Sequence, residues 1–365
     1  MSGYIVNPEI QQVLGPVLSK KFADFAKEPL GEIDVPDELP ADIADKVRID
    51  AEKGVLQFAP TQEDLDAWSA LTDDHNVVHK TNSPEFTGGL KGPILHGNYI
   101  AALAETLARQ YFEQHHKSKV KDYFDGSILG SIRRFFVRRG IIGFLDYKFS
   151  QAFRPGQQLE LRVTDFTFDK ANEETGNKDC MFKMACELTH LGSDAKGSIN
   201  IDYLLRLPES PNLYDVLEKD KLEVTCTDTV VLTQEEADKY RQMVNLPGKD
   251  MPALFPVMRT NSKVLIKQFN ELMQRRDFEF DTGFYHRYSI RIYDGARKLK
   301  IGDRLVAHYV PEGKLNPKGR QKVRIYVTDE ENKVLYEFKA PIHLVKAVSS
   351  SESKTVLPVV DAELN

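Results

Sequence analysis

The chain of 365 residues is 41% hydrophobic and 28% charged, with a formal net charge of −6. It is long enough for two domains or one large double domain, and too acidic for a general nucleic-acid binder. Three cysteines, Cys180, Cys186 and Cys226, lack C-x-x-C spacing, which argues against a disulfide framework or zinc knuckle and for a reducing compartment.

Residues 1–45 read as an N-terminal extension, amphipathic over 8–25 and acidic and proline-rich over 29–40, the composition of a linker or surface wrap. The start, Met1-Ser2-Gly3-Tyr4, lacks the basic and apolar regions of a secretory signal. No run of about 18 apolar residues predicts a membrane span, so a cytoplasmic protein is expected. The first unit, expected over 46–207, opens with a short strand at 54–59. Thr61 is placed to cap a helix through Leu71, with Glu63 and Asp64 in its first turn. A polar loop runs from Thr72 to Gly97. Beyond it Ile100, Leu103, Ala104, Leu107, Ala108 and Tyr111 recur at helical spacing, predicting a helix over 98–112 with small residues on its core side. Strands are expected at 127–137, 145–153, 158–168, 180–191 and 197–205, separated by turn signals such as Arg138-Arg139-Gly140 and Pro155-Gly156. One long helix followed by antiparallel strands predicts a sheet wrapped around a helix.

After a linker over 208–222 the order repeats over 223–347. A strand at 223–232 is followed by a capped helix at 233–244, a Pro-rich loop at 246–256 and a helix at 261–275. Strands then follow at 284–293, 303–310, 321–329 and 334–343. The repeat is one of element order, not of residue identity. Residues 348–365 read as a flexible tail.

Chemistry-bearing residues cluster in the first polar loop, in Leu71-Thr72-Asp73-Asp74-His75-Asn76-Val77-Val78-His79 and Gly92-Pro93-Ile94-Leu95-His96-Gly97. An acid, a base and a free N–H at a helix start are the parts needed to move water on or off a polarised carbonyl compound. Taken singly, Asp74 and Asn76 are ordinary turn residues and His79 an ordinary capping histidine; their joint register with Gly97 favours chemistry. His75 and His79, four apart, suggest a metal reading with Asp74 or His96, set aside because no H-E-x-x-H pattern occurs. Arg259, Lys263 and Lys267 read as the solvated face of the second long helix. Phe278, Phe280, Phe284, Tyr285 and Tyr288 read as core in preference to a tunnel lining.

Asp74-His75-Asn76-Val77-Val78-His79 with Pro93-Ile94-Leu95-His96-Gly97 resembles the signature of MaoC-like, (R)-specific enoyl-CoA hydratases and related 3-hydroxyacyl-thioester dehydratases. That signature is Asp-x-Asn-Pro-(aliphatic)-His, then a Pro-Ile-x-His-Gly run opening the central helix. The specific match covers residues 54–112, with a weaker one through Ile199, and the second half matches in element order alone. Val77 replaces the usual Pro, Thr72 and Asp73 stand where a small-Gly pair is common, and Thr81 stands where an Asp often follows the His. The familiar eukaryotic double-hotdog hydratases carry the motif in the second half; here it lies in the first, and the second-half loop 245–252 has no matching His.

The resemblance implies an α+β double hotdog, each half a long central helix wrapped by an antiparallel sheet, with a catalytic first half and a non-catalytic second. It implies a hydro-lyase that adds water to trans-2-enoyl thioesters or removes it from (R)-3-hydroxyacyl thioesters of CoA or ACP, with no cofactor and no metal. Asp74 and His79 would hold one water, either of them being the base, and Gly97 N–H would meet charge on the thioester oxygen. Asn76 would orient the water or tie the loop, and His96 would shape the loop or face the thioester. Arg133, Arg134, Arg138 and Arg139 admit two readings, contact with CoA phosphates or a carrier protein's acidic face, or a solvated strand end. Two other functions stay open, a hotdog acyl-thioesterase and a non-catalytic acyl-thioester-binding module. The internal pseudo-dimer fits a monomer or a homodimer.

Overall fold

The structure, a computed structural model, describes residues 47–87, 90–116, 141–168, 180–191, 196–204, 207–274 and 279–348. The strand expected at 127–137, with Arg133 and Arg134, and the turn after it, with Arg138 and Arg139, lie outside these residues, as do residues 1–45 and the tail beyond Val348.

Strands β1 (Val47–Asp50) and β2 (Val55–Phe58) form an antiparallel hairpin. Helix α1 (Gln62–Thr72) starts at the Thr61 cap that the sequence predicts. Thr61 Oγ1 accepts from Asp64 N–H while the Asp64 carboxylate accepts from Thr61 N–H, a reciprocal capping box. The polar loop carries a 3-10 turn (Val77–His79) and a small hairpin of β3 (Glu85–Phe86) and β4 (Leu90–Lys91). Helix α2 (Gly97–His116) extends past both expected ends. Ala101, Ala102, Leu103, Ala104, Leu107 and Ala108 are fully buried in it, since small side chains let the sheet close around the helix. Strands β5 (Ile141–Phe149), β6 (Leu159–Phe168), β7 (Cys180–His190) and β8 (Lys196–Leu204) complete the first half.

The segment expected as a linker over 208–222 contains helix α3 (Leu213–Asp220), capped by Asn212. Leu213 anchors it by packing with Val310, Tyr326 and Val334. Strand β9 (Cys226–Val231) and helix α4 (Gln234–Met243), capped by Thr233, follow as the pattern predicts. Helix α5 (Phe255–Met273) starts six residues before its expected start at 261. Pro256 sits in its first turn, where a missing N–H costs nothing, and the cap is supplied from elsewhere in the chain, as described below. Strands β10 (Thr282–Phe284), β11 (Arg287–Ile292), β12 (Arg304–Glu312), β13 (Arg320–Thr328) and β14 (Val334–Val345) close the second half.

The strands join in one 12-stranded sheet, ordered β1-β2-β6-β7-β8-β5-β11-β14-β13-β12-β9, with β10 pairing β14. The first half runs β2-β6-β7-β8-β5 across the sheet and the second runs β9-β12-β13-β14-β11, the same permutation of equivalent strands. Each half therefore wraps one long helix, α2 or α5, and the arrangement is a double hotdog. The halves meet where β5 pairs β11 antiparallel, with Tyr147 directly opposite Tyr288. One apolar core runs through both halves. No helix among the described residues is long and apolar enough to cross a membrane.

Candidate active site

The end of α1 positions Asp74. Asp73 takes the left-handed conformation (φ 62°), and the N–H groups of Asp73 and Asp74 both donate to Ser69 C=O. Glycine takes that conformation without strain and Asp tolerates it, which accounts for an Asp where the resembling family often has Gly. The sharp reversal carries the Asp74 carboxylate inward, toward the histidines.

Asn76 is held by both ends of its amide. Its Oδ1 accepts from Val78 N–H (3.2 Å) and from the Thr282 hydroxyl (2.6 Å), and its Nδ2 donates to Gly283 C=O (2.7 Å). Three of its four hydrogen-bonding positions are thus occupied, two of the partners lying on β10 of the second half. Of the two roles open to Asn76 in the sequence, these bonds are those of a loop tie. Replacing Asn76 by Ala is expected to cost about 2 kcal/mol, since a cap is lost and two polar groups lose their partner. A shift of the urea midpoint at unchanged slope is the expected result; an unmoved midpoint would show that the tie carries no energy.

His79 and His96 are both buried, 8% and 1% exposed, and their rings stack with centroids 3.6 Å apart. His79 Nδ1 lies 2.8 Å from Ile94 C=O. A carbonyl only accepts, so Nδ1 carries the proton and neutral His79 leaves Nε2 with a free lone pair. Burial, then charge on His96, push the His79 pKa down to about 3, although Asp74 pulls the other way. His96 Nδ1 faces Asp74 Oδ2 at 3.4 Å and its Nε2 lies 3.0 Å from Ser69 Oγ. With Nδ1–H toward the carboxylate, Nε2 accepts from the Ser69 hydroxyl. Burial works to raise the Asp74 pKa. Hydrogen bonding and charge from His96, then His79 charge and the Asn76 N–H, outweigh burial and hold the carboxyl well below its ordinary range. At neutral pH the site therefore holds an anionic Asp74 and a neutral His79, two acceptors.

Gly97 opens α2 and is partly exposed. The N–H groups of Gly97 and Asn98 have no acceptor among the described residues, as the first N–H groups of a helix have no partner within it. A Cβ on Gly97 would stand 3.4 Å from Tyr147 and 3.5 Å from Tyr288, and Tyr288 O–H donates to Gly97 C=O (3.2 Å). The structure thus brings Asp74, His79, His96 and Gly97 together and sets Asn76 beneath them.

At the start of α5 a buried carboxylate holds the two N–H groups that precede the helix. Glu105, buried in the third turn of α2, accepts from Ala253 N–H (2.7 Å), Leu254 N–H (3.2 Å) and the Tyr240 hydroxyl (2.9 Å). Burial raises its pKa, and the three donors pull it back.

Among the described residues, Asp74, His79 and His96 each offer one ligand atom, all within 4.8 Å of one another, and form a group that could hold a metal ion. His75 is not part of it; it is exposed and paired with Asp73 at 3.3 Å. Metal ligation needs lone pairs that converge on one point. Stacked imidazoles set theirs side by side, and both His96 nitrogens already face partners, so the geometry suits acid–base work better.

Sequence reasoning missed Ser69, Tyr147 and Glu105. Ser69 gave no signal, because its role depends on His96, 27 positions away. The cations read as a solvated face are more engaged than expected. Arg259 contacts Asp73 (3.7 Å) and Glu236 (3.1 Å), while Lys263 and Lys267 donate to Thr229 and Thr227 carbonyls on β9.

No family model matches the sequence, and no curated protein matches it. Solved structures do match. The likeness is to MaoC-like and other hotdog proteins. A MaoC-like dehydratase is 9% identical, with 79% of this chain and 95% of that one covered at a TM-score of 0.44. A conserved Mycobacterium tuberculosis protein with a double hotdog fold is 9% identical over 79% and 93% of the two chains, at 0.45. An acyl-CoA thioesterase II from Mycobacterium marinum is 9% identical over 60% and 89%, at 0.36.

Proposed function

We propose that the protein is a hydro-lyase that interconverts trans-2-enoyl and (R)-3-hydroxyacyl thioesters. The observation that carries this reading is the pairing of two unprotonated acceptors, Asp74 and His79 Nε2, with the unbonded N–H of Gly97 at the start of α2.

A water held between two acceptors presents its oxygen lone pair to the substrate. As the oxygen bonds to Cβ, His79 Nε2 takes one proton and the Cα=Cβ electrons shift onto the thioester oxygen. Gly97 N–H, at the positive end of α2, meets that charge. The enolate then collapses, and the proton returns from the pair to the same face of Cα, so the elements of one water are added. Asp74 stays anionic, stabilises the imidazolium while it exists, and is itself held in place by His96 and the Asn76 N–H. Dehydration runs the same steps in reverse.

The test is loss of enoyl-thioester absorbance on mixing the purified protein with crotonyl-CoA and a longer trans-2-enoyl-CoA, with a thiol reagent in parallel. Carrier-protein thioesters are run beside them to read the acyl carrier. Loss of absorbance without free thiol is expected. Thiol release without hydration would make the protein a thioesterase, and saturable binding without turnover on either carrier a binding module.

The acid limb of the pH profile is a second test. His79 must be neutral to act as a base, and its pKa of about 3 keeps it neutral far below the ordinary histidine range. kcat/KM is therefore expected to stay flat from about pH 8 down to about pH 5. A fall centred near the ordinary histidine value of about 6.5 would show that His79 is not the buried neutral base assigned here.

A further inference from the structure

We propose that the Tyr147 hydroxyl is a second hydrogen-bond donor to the substrate's thioester oxygen, acting beside the Gly97 N–H. The proposal rests on the hydro-lyase reading above and adds a catalytic residue to it.

Tyr147 on β5 and Tyr288 on β11 face each other across the seam between the halves, with rings stacked at 4.8 Å and 28°. They differ in what their hydroxyls do. The Tyr288 hydroxyl is spent on Gly97 C=O. The Tyr147 side chain is 0% exposed and its oxygen has no hydrogen-bond partner among the described residues. Burying a hydroxyl without a partner is costly, so an orphan beside the candidate site calls for a role.

Its position supplies one. The oxygen lies 3.4 Å from the point that a Cβ on Gly97 would occupy. In a helix the Cα–Cβ bond leans toward the N-terminus, the direction in which the backbone N–H groups also point. The phenol thus stands beside the opening of α2, close to Gly97, whose N–H, like that of Asn98, has no acceptor among the described residues. A thioester oxygen entering at Gly97, where a side chain would otherwise stand, meets the amide and the phenol together.

Burial above all, then Tyr288 and Tyr285, hold the Tyr147 pKa well above its ordinary value. The phenol therefore donates a hydrogen bond without giving up its proton, and the intermediate is an enolate held by two donors. A donor sealed from water needs no reorganisation as the charge develops, which makes it worth more than a solvated one.

Tyr147→Phe keeps the ring and its stack on Tyr288. Hydration of crotonyl-CoA is expected to lose about 10²-fold in kcat with KM little changed. Tm is expected to hold or rise, because an unpaired buried hydroxyl has been removed. The decisive readout is the carbonyl stretch of bound butyryl-CoA labelled with ¹³C at the thioester carbon, a saturated thioester that cannot be hydrated. Wild type should lower this stretch relative to free thioester, and Tyr147→Phe should lose part of the shift. An equal shift in both proteins overturns the proposal whatever kcat does. If wild type hydrates no enoyl thioester, the hydro-lyase reading falls and the carbonyl measurement still decides Tyr147; absence of any bound thioester overturns both.

Discussion

Asp74→Asn and His79→Ala are each expected to lower hydration turnover by roughly 10² to 10⁴-fold, the range that positioned acid–base groups contribute. The two act on one water, so the double variant should be little worse than the poorer single one, as for any set of residues that works as a unit. Asp74→Asn keeps the shape of the side chain and removes its charge, so its effect belongs in kcat more than in KM. His79→Ala also removes a buried ring stacked on His96. Its melting temperature has to be measured beside its activity, with loss of activity at temperatures where the variant is fully folded as the expected result. Near-wild-type kcat in either variant would remove that residue from the chemistry.

The largest expected effect on stability lies away from the reacting groups. Glu105→Ala should cost about 3–5 kcal/mol, because three donors lose the one acceptor they share. Its carboxylate is the acceptor for Ala253 N–H, Leu254 N–H and the Tyr240 hydroxyl, and each buried donor left without a partner costs about 1–3 kcal/mol. Helix α5 has no side-chain cap of its own, because Leu254 stands at the capping position. Glu105→Gln should fall between alanine and wild type, since its amide offers one acceptor and turns a donor toward the remaining N–H. Urea unfolding followed by circular dichroism reads the loss. A shift below about 1 kcal/mol for Glu105→Ala, the value of an ordinary cap, would show that α5 does not depend on this carboxylate.

The parts of the molecule that were legible in the sequence are those specified by neighbours in the chain. Thr61 and Asp64 write the start of α1 within one turn, and Thr233 with Glu236 does the same for α4. Among the described residues the alternating pattern predicts the longer strands to within a few residues, and the loop motif groups Asp74, His79 and Gly97. What escaped is specified across long stretches of chain. Helix α5 starts six residues before the sequence pattern predicts, because the carboxylate that holds the chain at its start is Glu105, 149 positions from Leu254. The tie of Asn76 to Gly283 spans 207 positions, so the side chain alone could not distinguish a water-orienting amide from a loop anchor. Tyr288 reads as core, which by burial it is, and Tyr147 carries no signal of its own; only the pairing of β5 with β11 places both over Gly97. The helix inside the expected linker escaped because it is short and mostly polar: Leu213 is its one buried residue, with Val216 and Leu217 half-buried beside it.

The seam between β5 and β11 joins two halves of one chain, where a dimer of identical subunits would join two copies. In such a dimer every substitution appears twice, and a residue that improves one site must be tolerated at its symmetric counterpart. Here each position exists once. Thr282 and Gly283 can be shaped to hold the Asp74 loop with no duplicate imposed on the other half. Tyr147 and Tyr288, facing each other at the seam, can take different hydrogen-bonding states. One helix can open on Gly97 while the other opens on Phe255 and rests on Glu105. With the proposed site in the first half alone, a tight-binding thioester analogue is expected to bind with a stoichiometry of one per chain.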